Sequence, residues 1–144
     1  MLKINPYLSF DGNCAEAFRF YEKILRPKSM TLFTYGESPM ADRIDPSARH
    51  KILHAQLTLE GGSLMGADAP ECGSAKYQKP QGMGVTLHAQ EPEEAQRLFA
   101  ALSEGGSVTM PMAETFWAKR FGMCTDRFQI PWMVNCSKAE GCEG

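Results

Sequence analysis

The first residues of the chain alternate between apolar and polar positions and predict a half-buried strand over residues 4–10. Its apolar side holds Ile4, Pro6, Leu8 and Phe10, and its polar side holds Asn5, Tyr7 and Ser9. Residues 11–13 have turn chemistry, with Asn13 as the predicted N-cap. From Ala15 the apolar spacing becomes helical, and Pro27 ends this helix because its ring cannot continue the hydrogen-bond ladder. The residues predicted to be buried on the helix are Ala17, Phe20, Tyr21 and Ile24.

A second strand is predicted over residues 30–35, followed by an aperiodic segment over 37–49 that contains two prolines. Long loops of this kind often cover a binding site. Residues 52–59 alternate most clearly in the whole chain, and the glycines of segment 60–62 predict a hairpin into a short strand over 63–68. The polar side of the 52–59 strand holds His54, Gln56 and Thr58, and its apolar side holds Leu53, Ala55, Leu57 and Leu59.

The same order of elements returns after a polar connection over residues 69–82. A strand over 84–89 precedes a helix that begins at Pro92 and ends at Gly105-Gly106, and strands are predicted over 107–112, 117–125 and 130–135. The buried stripe of the second helix is Ala95, Leu98, Phe99 and Leu102. A repeat at about 80 residues indicates duplication of one supersecondary unit. We therefore predict one α+β domain over 1–144, in which two βαβββ modules (1–68 and 83–136, with a tail over 137–144) form a curved, cup-like mixed sheet with helices outside.

Composition limits the class of partner. The chain has 144 residues, of which 43% are hydrophobic and 22% charged, as in an ordinary globular domain. A net charge of -2 disfavours nucleic acid. The sequence shows neither an apolar run of about 20 residues nor a signal-peptide pattern, so we expect a cytoplasmic protein with no membrane partner and a small-molecule ligand. In that compartment the five cysteines, which form no CxxC pair, are expected to be thiols: Cys14, Cys72, Cys124, Cys136 and Cys142.

Three blocks resemble a known superfamily. They are PYLSFDGNCAEA at 6–17 followed by Phe20-Tyr21, the pair His54-Ala55 leading to MGADA at 65–69, and ETFWA at 114–118 followed by TDRFQIPWMVN at 125–135. The chain resembles the vicinal oxygen chelate superfamily of glyoxalase I, extradiol dioxygenases and bleomycin-resistance proteins, and within it the PhnB-like group. The resemblance implies the cup-shaped fold and, together with the need to cover sheet edges, a homodimer.

The resemblance also implies a divalent ion held by His and Glu, about one from each of four strands of the cup. The corresponding positions hold Asn5 or Pro6, Met65 or Gly66, Gly84 and Met133, none of which suits such an ion. His54 and Asp68 could supply two replacement ligands, whereas catalytic metal sites usually have three protein ligands. Two possibilities therefore remain: the protein has no cofactor, or it holds a divalent metal with other residues.

A partly apolar, hydrogen-bonding pocket for a small organic molecule is predicted from Tyr7, Ser9, His54, Gln56, Met65, Asp68 and Trp117. His54 either lines the pocket or acts as a general acid or base, and Glu114 is a weaker acid–base candidate. No nucleophile triad, phosphate loop or Rossmann glycine pattern is present, nor a glycine-rich S-adenosylmethionine loop that would support the methyltransferase label given to the group. Two functions remain: lyase- or isomerase-type chemistry, and non-catalytic binding of the bleomycin-resistance type.

Overall fold

A computed structural model describes residues 1–70 and 75–138. The chain forms two compact units, Met1–Gln78 and Lys79–Gly144, and the boundary lies inside the connection predicted over 69–82. Cys72, Cys142 and most of the predicted tail lie outside the described residues. The other three cysteines, Cys14, Cys124 and Cys136, are buried free thiols.

Unit 1 has the predicted order of one strand, one helix and three strands. The parallel pair β1–β4 and the antiparallel pairs β4–β3 and β3–β2 give a mixed sheet of order β1-β4-β3-β2. Its elements are β1 (Tyr7–Phe10), α1 (Cys14–Leu25), β2 (Ser29–Thr34), β3 (Ile52–Leu59) and β4 (Gly62–Asp68).

Unit 2 repeats this topology, with the parallel pair β5–β8 and the sheet order β5-β8-β7-β6. The prediction of two βαβββ modules is therefore confirmed. The elements of unit 2 are β5 (Val85–His88), α2 (Pro92–Ser103), β6 (Ser107–Ala113), β7 (Ala118–Thr125) and β8 (Pro131–Ser137).

Helix α1 covers one face of the unit 1 sheet with an apolar stripe. The stripe contains Phe18, which the sequence pattern missed, whereas the predicted Phe20 is only half-buried. The helix ends at Leu25, before Pro27, and Arg26 closes it in the left-handed conformation at φ 51°. The buried residues of α1 are Cys14, Ala17, Phe18, Tyr21 and Ile24.

Two expectations at the edges of unit 1 were wrong. Strand β1 begins at Tyr7, three residues later than predicted, and Ile4 is 91% exposed because it lies before the paired segment. On β3 the predicted inward residue Leu53 is only half-buried, and Ile52 is buried in its place. The cause is a bulge: Phe33 pairs with His54 and Thr34 with Ile52, so Leu53 is an extra residue that shifts the alternation by one.

The loop predicted over 37–49 lacks long elements but is organised. It contains short 3-10 turns at Ala41–Arg43 and Pro46–Ala48, following one at Tyr35–Glu37. The Arg49 guanidinium Nε donates to the carbonyl oxygens of Ala41 at 3.0 Å and Ile44 at 3.2 Å, which ties the turns together.

In unit 2 helix α2 buries the predicted stripe of Ala95, Leu98, Phe99 and Leu102 against its own sheet. The turn between β7 and β8 is built around a buried carboxylate. Asp126 Oδ1 accepts from the backbone N–H groups of Phe128 at 2.8 Å and Ile130 at 3.0 Å, and Oδ2 accepts from Trp132 Nε1 at 2.8 Å. No helix within 1–70 or 75–138 is both long and apolar enough to cross a bilayer.

Candidate functional site

The face of the unit 1 sheet opposite helix α1 carries most of the predicted site. Cross-strand partners share a face, so the register places side chains of all four strands together there. Gln56 pairs with Thr31 on one side and Met65 on the other, and Met65 also pairs with Tyr7. We call this surface the polar face of unit 1, and it consists of Tyr7, Ser9, Ser29, Thr31, Phe33, His54, Gln56, Thr58, Ser63, Met65 and Ala67.

Four of these side chains form a hydrogen-bonded series, which we call the polar row. His54 Nε2 lies 3.5 Å from Gln56 Oε1, Gln56 Nε2 donates to Thr58 Oγ1 at 3.4 Å, and Thr58 Oγ1 lies 3.4 Å from Ser63 Oγ. All four residues are half-buried. The three contacts lie at the long end of the hydrogen-bond range. The row therefore presents an ordered set of donors and acceptors.

Two aromatic rings lie beside the row. Tyr7 is 50% exposed, with its ring centroid 6.3 Å from that of His54, and Phe33, paired with His54 across β2 and β3, is 51% exposed. Burial of the hydroxyl raises the pKa of Tyr7, and the negative charges that Cys14 and Tyr35 would acquire raise it further. Tyr7 therefore keeps its proton at neutral pH and can act as a hydrogen-bond donor.

Asp68 does not lie on this face, contrary to the predicted lining. It belongs to the helix-covered side of β4 with Leu64 and Gly66, and it is 2% exposed. Its Oδ1 accepts from the Cys14 backbone N–H at 2.9 Å and its Oδ2 from the Ile52 N–H at 2.8 Å. Asn13 occupies the N-cap position of α1, as predicted, but its side chain makes no cap hydrogen bond. Asp68 is thus a structural carboxylate that caps α1 and holds the start of β3.

Trp117 and Glu114 lie in unit 2, in and near the segment before β7. Trp117 is 46% exposed and packs edge-on against Phe116, at 4.8 Å between centroids, and against Phe121 at 5.4 Å. Glu114 makes an exposed ion pair with Lys138 at 3.4 Å. Within unit 1 the structure brings together Tyr7, Ser9, His54, Gln56 and Met65. Within unit 2 Trp117 belongs to an aromatic cluster with Phe116 and Phe121.

The equivalent positions of unit 2 lack the polar row. Met123 pairs with Met133 as Gln56 pairs with Met65, and Phe121, two residues before Met123, occupies the position of His54. The two modules share a topology but differ in the chemistry of this face.

The donor atoms do not suit the metal that the resemblance implies. Asn5 at the first position accepts from the Ser63 N–H at 3.2 Å, and the others offer the thioethers of Met65 and Met133 or the glycine Gly84. Within residues 1–70 and 75–138 no three His, Cys, Asp or Glu side chains form a group that could hold an ion. His54 and Asp68 do not form a replacement metal site, because both carboxylate oxygens of Asp68 already accept hydrogen bonds from backbone N–H groups.

Several members of the polar face were missed by sequence reasoning: Thr31, Phe33 and Ser63. Thr58 was assigned to the polar side of β3 but not to the site. The alternation along β2 could have indicated Thr31 and Phe33, but only the pairing register shows that they face His54 and Gln56.

The chain is similar to known proteins over nearly its whole length. Residues 2–135 match the family model described as 3-demethylubiquinone-9 3-methyltransferase. The protein YjdN from Escherichia coli (strain K12) is 35% identical over 147 residues, which cover 96% of this chain and 98% of YjdN.

Two solved structures share the fold. Protein PA1353 from Pseudomonas aeruginosa is 41% identical, with a TM-score of 0.86, and the match covers 96% of this chain and 100% of that one. The PhnB protein from Bacillus cereus is 23% identical, with a TM-score of 0.73, and the match covers 94% of this chain and 100% of PhnB. At that lower identity the likeness concerns the fold alone.

Proposed function

The chain belongs to the 3-demethylubiquinone-9 3-methyltransferase family, the PhnB-like group of the vicinal oxygen chelate superfamily, and from this we propose that it binds a small organic molecule on the polar face of unit 1. The observation that carries the proposal is the polar row of His54, Gln56, Thr58 and Ser63, flanked by the half-exposed rings of Tyr7 and Phe33. Aligned donors and acceptors between aromatic rings suit a planar molecule that carries oxygen atoms.

His54 is the proposed general acid or base for lyase- or isomerase-type chemistry on that molecule. His54 lies beside the protonated Tyr7 hydroxyl, which places a ring nitrogen that can accept a proton and a hydroxyl that can donate one on the same surface. Ser9 and Met65 complete the proposed contact surface on β1 and β4.

Non-catalytic binding of the bleomycin-resistance type is the second candidate. The observation that favours it concerns the four positions at which the family has metal ligands. In this chain those positions hold an amide, two thioethers and a glycine. The two candidates differ in one outcome. If the protein only binds the compound, the compound stays chemically unchanged with both the wild type and His54→Ala. If the protein is an enzyme, the wild type converts the compound and His54→Ala does not.

The binding site is tested with a tail-less 3-demethylubiquinone analogue, the compound class in the family's name, titrated into ¹⁵N-labelled protein. We expect amide shifts concentrated on β3 and β4, and a loss of affinity of about tenfold in His54→Ala, equivalent to about 1.4 kcal/mol. Arg19→Ala, at an exposed position of α1, is the matched control and should bind as wild type does. Shifts confined to unit 2, equal affinity in His54→Ala, or no shifts at all would contradict the proposed site.

For the cellular context we propose a cytoplasmic homodimer. The support for a reducing compartment is that Cys14, Cys124 and Cys136 are buried free thiols. Support for pairing is the edge strand β6, where Val108 and Met110 are about half exposed. Equilibrium sedimentation should give twice the 16.0 kDa chain mass, and cell fractionation should recover the protein with cytoplasmic markers.

A further inference from the structure

The orientation of the Gln56 amide determines the protonation of its neighbour in the polar row. Gln56 Nε2 donates to Thr58 Oγ1 at 3.4 Å, which leaves Oε1 directed at His54 Nε2, 3.5 Å away. An amide oxygen can only accept a hydrogen bond, so in this amide orientation a hydrogen bond between the two side chains requires the hydrogen on His54 Nε2. The Thr58 hydroxyl in turn contacts Ser63 Oγ at 3.4 Å, so the series is anchored on β4 as well as on β3.

We propose that Gln56 is a positioning residue that holds His54 in the Nε2–H tautomer and thereby makes Nδ1 the proton acceptor of the site. The assignment of Nδ1 as the reacting nitrogen rests on the proposed function of His54, whereas the tautomer itself does not. In a neutral imidazole one nitrogen donates and the other accepts, and the hydrogen bond made by the first decides which nitrogen has the lone pair. This is the arrangement by which a base is oriented by a third group.

The polar row is not required by the βαβββ fold. Unit 2 builds the same four-stranded sheet with Phe121, Met123 and Met133 at the positions that hold His54, Gln56 and Met65 in unit 1. Apolar side chains there are compatible with the same pairing register. The half-buried amide and hydroxyl groups of unit 1 are therefore not needed for strand pairing, and we assign them the role of orienting the His54 imidazole.

The titratable side chains that the described residues bring near His54 are tyrosines: Tyr7, and beyond it Tyr35, which interacts electrostatically with Tyr7. The cross-strand and diagonal neighbours of His54 are Tyr7 on β1, Phe33 on β2, and Met65 and Ala67 on β4. Tyr7 stays neutral because its pKa is raised, so no charge on the described part of this face competes with the amide in setting the tautomer.

The tautomer can be read directly from long-range ¹H–¹⁵N spectra of the ligand-free full chain at pH 8, above the ordinary histidine pKa of about 6.5. We expect the His54 nitrogens to be widely separated in ¹⁵N shift, with Nε2 protonated. Gln56→Leu should bring the two shifts closer together, because only the intrinsic preference of a free histidine side chain for Nε2–H then remains. Gln56→Glu should retain the wild-type tautomer and raise the His54 pKa by about one unit, because a carboxylate would lie beside the imidazole. Thr86→Val, on β5 of unit 2 and outside the polar face, is the matched control and should change neither quantity.

A protonated Nδ1 in the wild type, or an unchanged tautomer ratio in Gln56→Leu, would overturn the proposal. Folding of each variant is checked by the amide spectrum of unit 2. If Gln56→Leu does not fold, the wild-type tautomer together with the Gln56→Glu pKa decides the question. The outcome is separate from that of the proposed function: the tautomer is measured without ligand, whereas failure of the quinone analogue to bind would contradict the binding site and leave the tautomer result standing.

Discussion

At the scale of single residues, two buried carboxylates organise backbone turns. Asp68 accepts from the N–H groups of Cys14 and Ile52, and Asp126 accepts from those of Phe128 and Ile130 as well as from Trp132 Nε1. Buried carboxylates are stable in a protein interior only when such hydrogen bonds replace water. Asp126 lies in the block at 125–135 that carries the family resemblance. Its role there is structural, so this part of the resemblance is evidence for the fold and not for the chemistry.

The role of Asp68 predicts a specific loss of stability. In Asp68→Asn the side chain keeps one acceptor oxygen but turns an NH₂ group toward the second backbone N–H, so the free energy of unfolding should fall by about 2 kcal/mol. Asn13→Ala is the control, since Asn13 makes no cap hydrogen bond, and it should stay within about 0.5 kcal/mol of wild type. Urea unfolding measures both. A larger loss in Asn13→Ala than in Asp68→Asn would show that Asn13 is the cap.

Cys124 should make stability depend on pH in the alkaline range. Burial, and then the Asp126 carboxylate, raise the pKa of this thiol from 9.0 to about 11. The unfolded chain therefore loses the proton first, so the contribution is intact below pH 9 and is lost as the pH rises toward 11, by about 1.4 kcal/mol per unit. The stability of Cys124→Ala, followed over the same range, should fall less steeply than that of wild type. Parallel curves would be inconsistent with a raised thiol pKa.

At the scale of elements, the packing of helix α1 on its sheet depends on a close approach at Gly66 of β4. A Cβ there would lie 2.8 Å from the Leu8 carbonyl oxygen and 2.9 Å from a ring carbon of Phe18. Both neighbours belong to packed elements, so neither can move away without cost. The absence of a side chain at Gly66 therefore sets the distance between α1 and the sheet.

Gly66→Ala is accordingly predicted to lower the free energy of unfolding by about 2 kcal/mol through overpacking. Gly61 lies in the hairpin between β3 and β4, and a Cβ at this position would meet no atom within 4 Å beyond its chain neighbours. Gly61→Ala therefore serves as the control and should be nearly neutral. Chemical denaturation of the two variants gives the comparison. Equal stabilities would mean that α1 shifts freely on the sheet.

At the scale of the whole molecule, the two modules have the same topology but different surfaces opposite their helices. At the positions of the polar row unit 1 presents imidazole, amide and hydroxyl groups, and unit 2 presents Phe121, Met123 and Met133. Unit 2 has a different hydrogen-bonded group on that face, in which Asn135 Nδ2 lies 3.2 Å from His88 Nδ1 and 3.2 Å from Ser137 Oγ. Neither module offers the imidazole and carboxylate ligands that a divalent ion prefers at the four positions of the family metal.

Metal removal is therefore predicted to have little effect. Purified protein dialysed against a chelator should retain less than one divalent ion per chain, and its Tm should match that of undialysed protein. His54→Ala, measured alongside, should have the same metal content as wild type. One tightly held ion per chain that His54→Ala releases would contradict this prediction and assign His54 to a metal site.

The repeated order of strand, helix and three strands was determined by the sequence itself, because hydrophobic periodicity and turn residues are local properties. The same is true of the polar side of β3 with His54 and Gln56, and of the buried stripe of α2. A local sequence pattern does not specify which strands pair in a sheet or which residues lie opposite one another. For that reason only the tertiary structure placed Phe33 beside His54 and shifted burial from Leu53 to Ile52 at a bulge. It also left Asn13 at the N-cap position without a side-chain hydrogen bond and gave that bond to the distant Asp68.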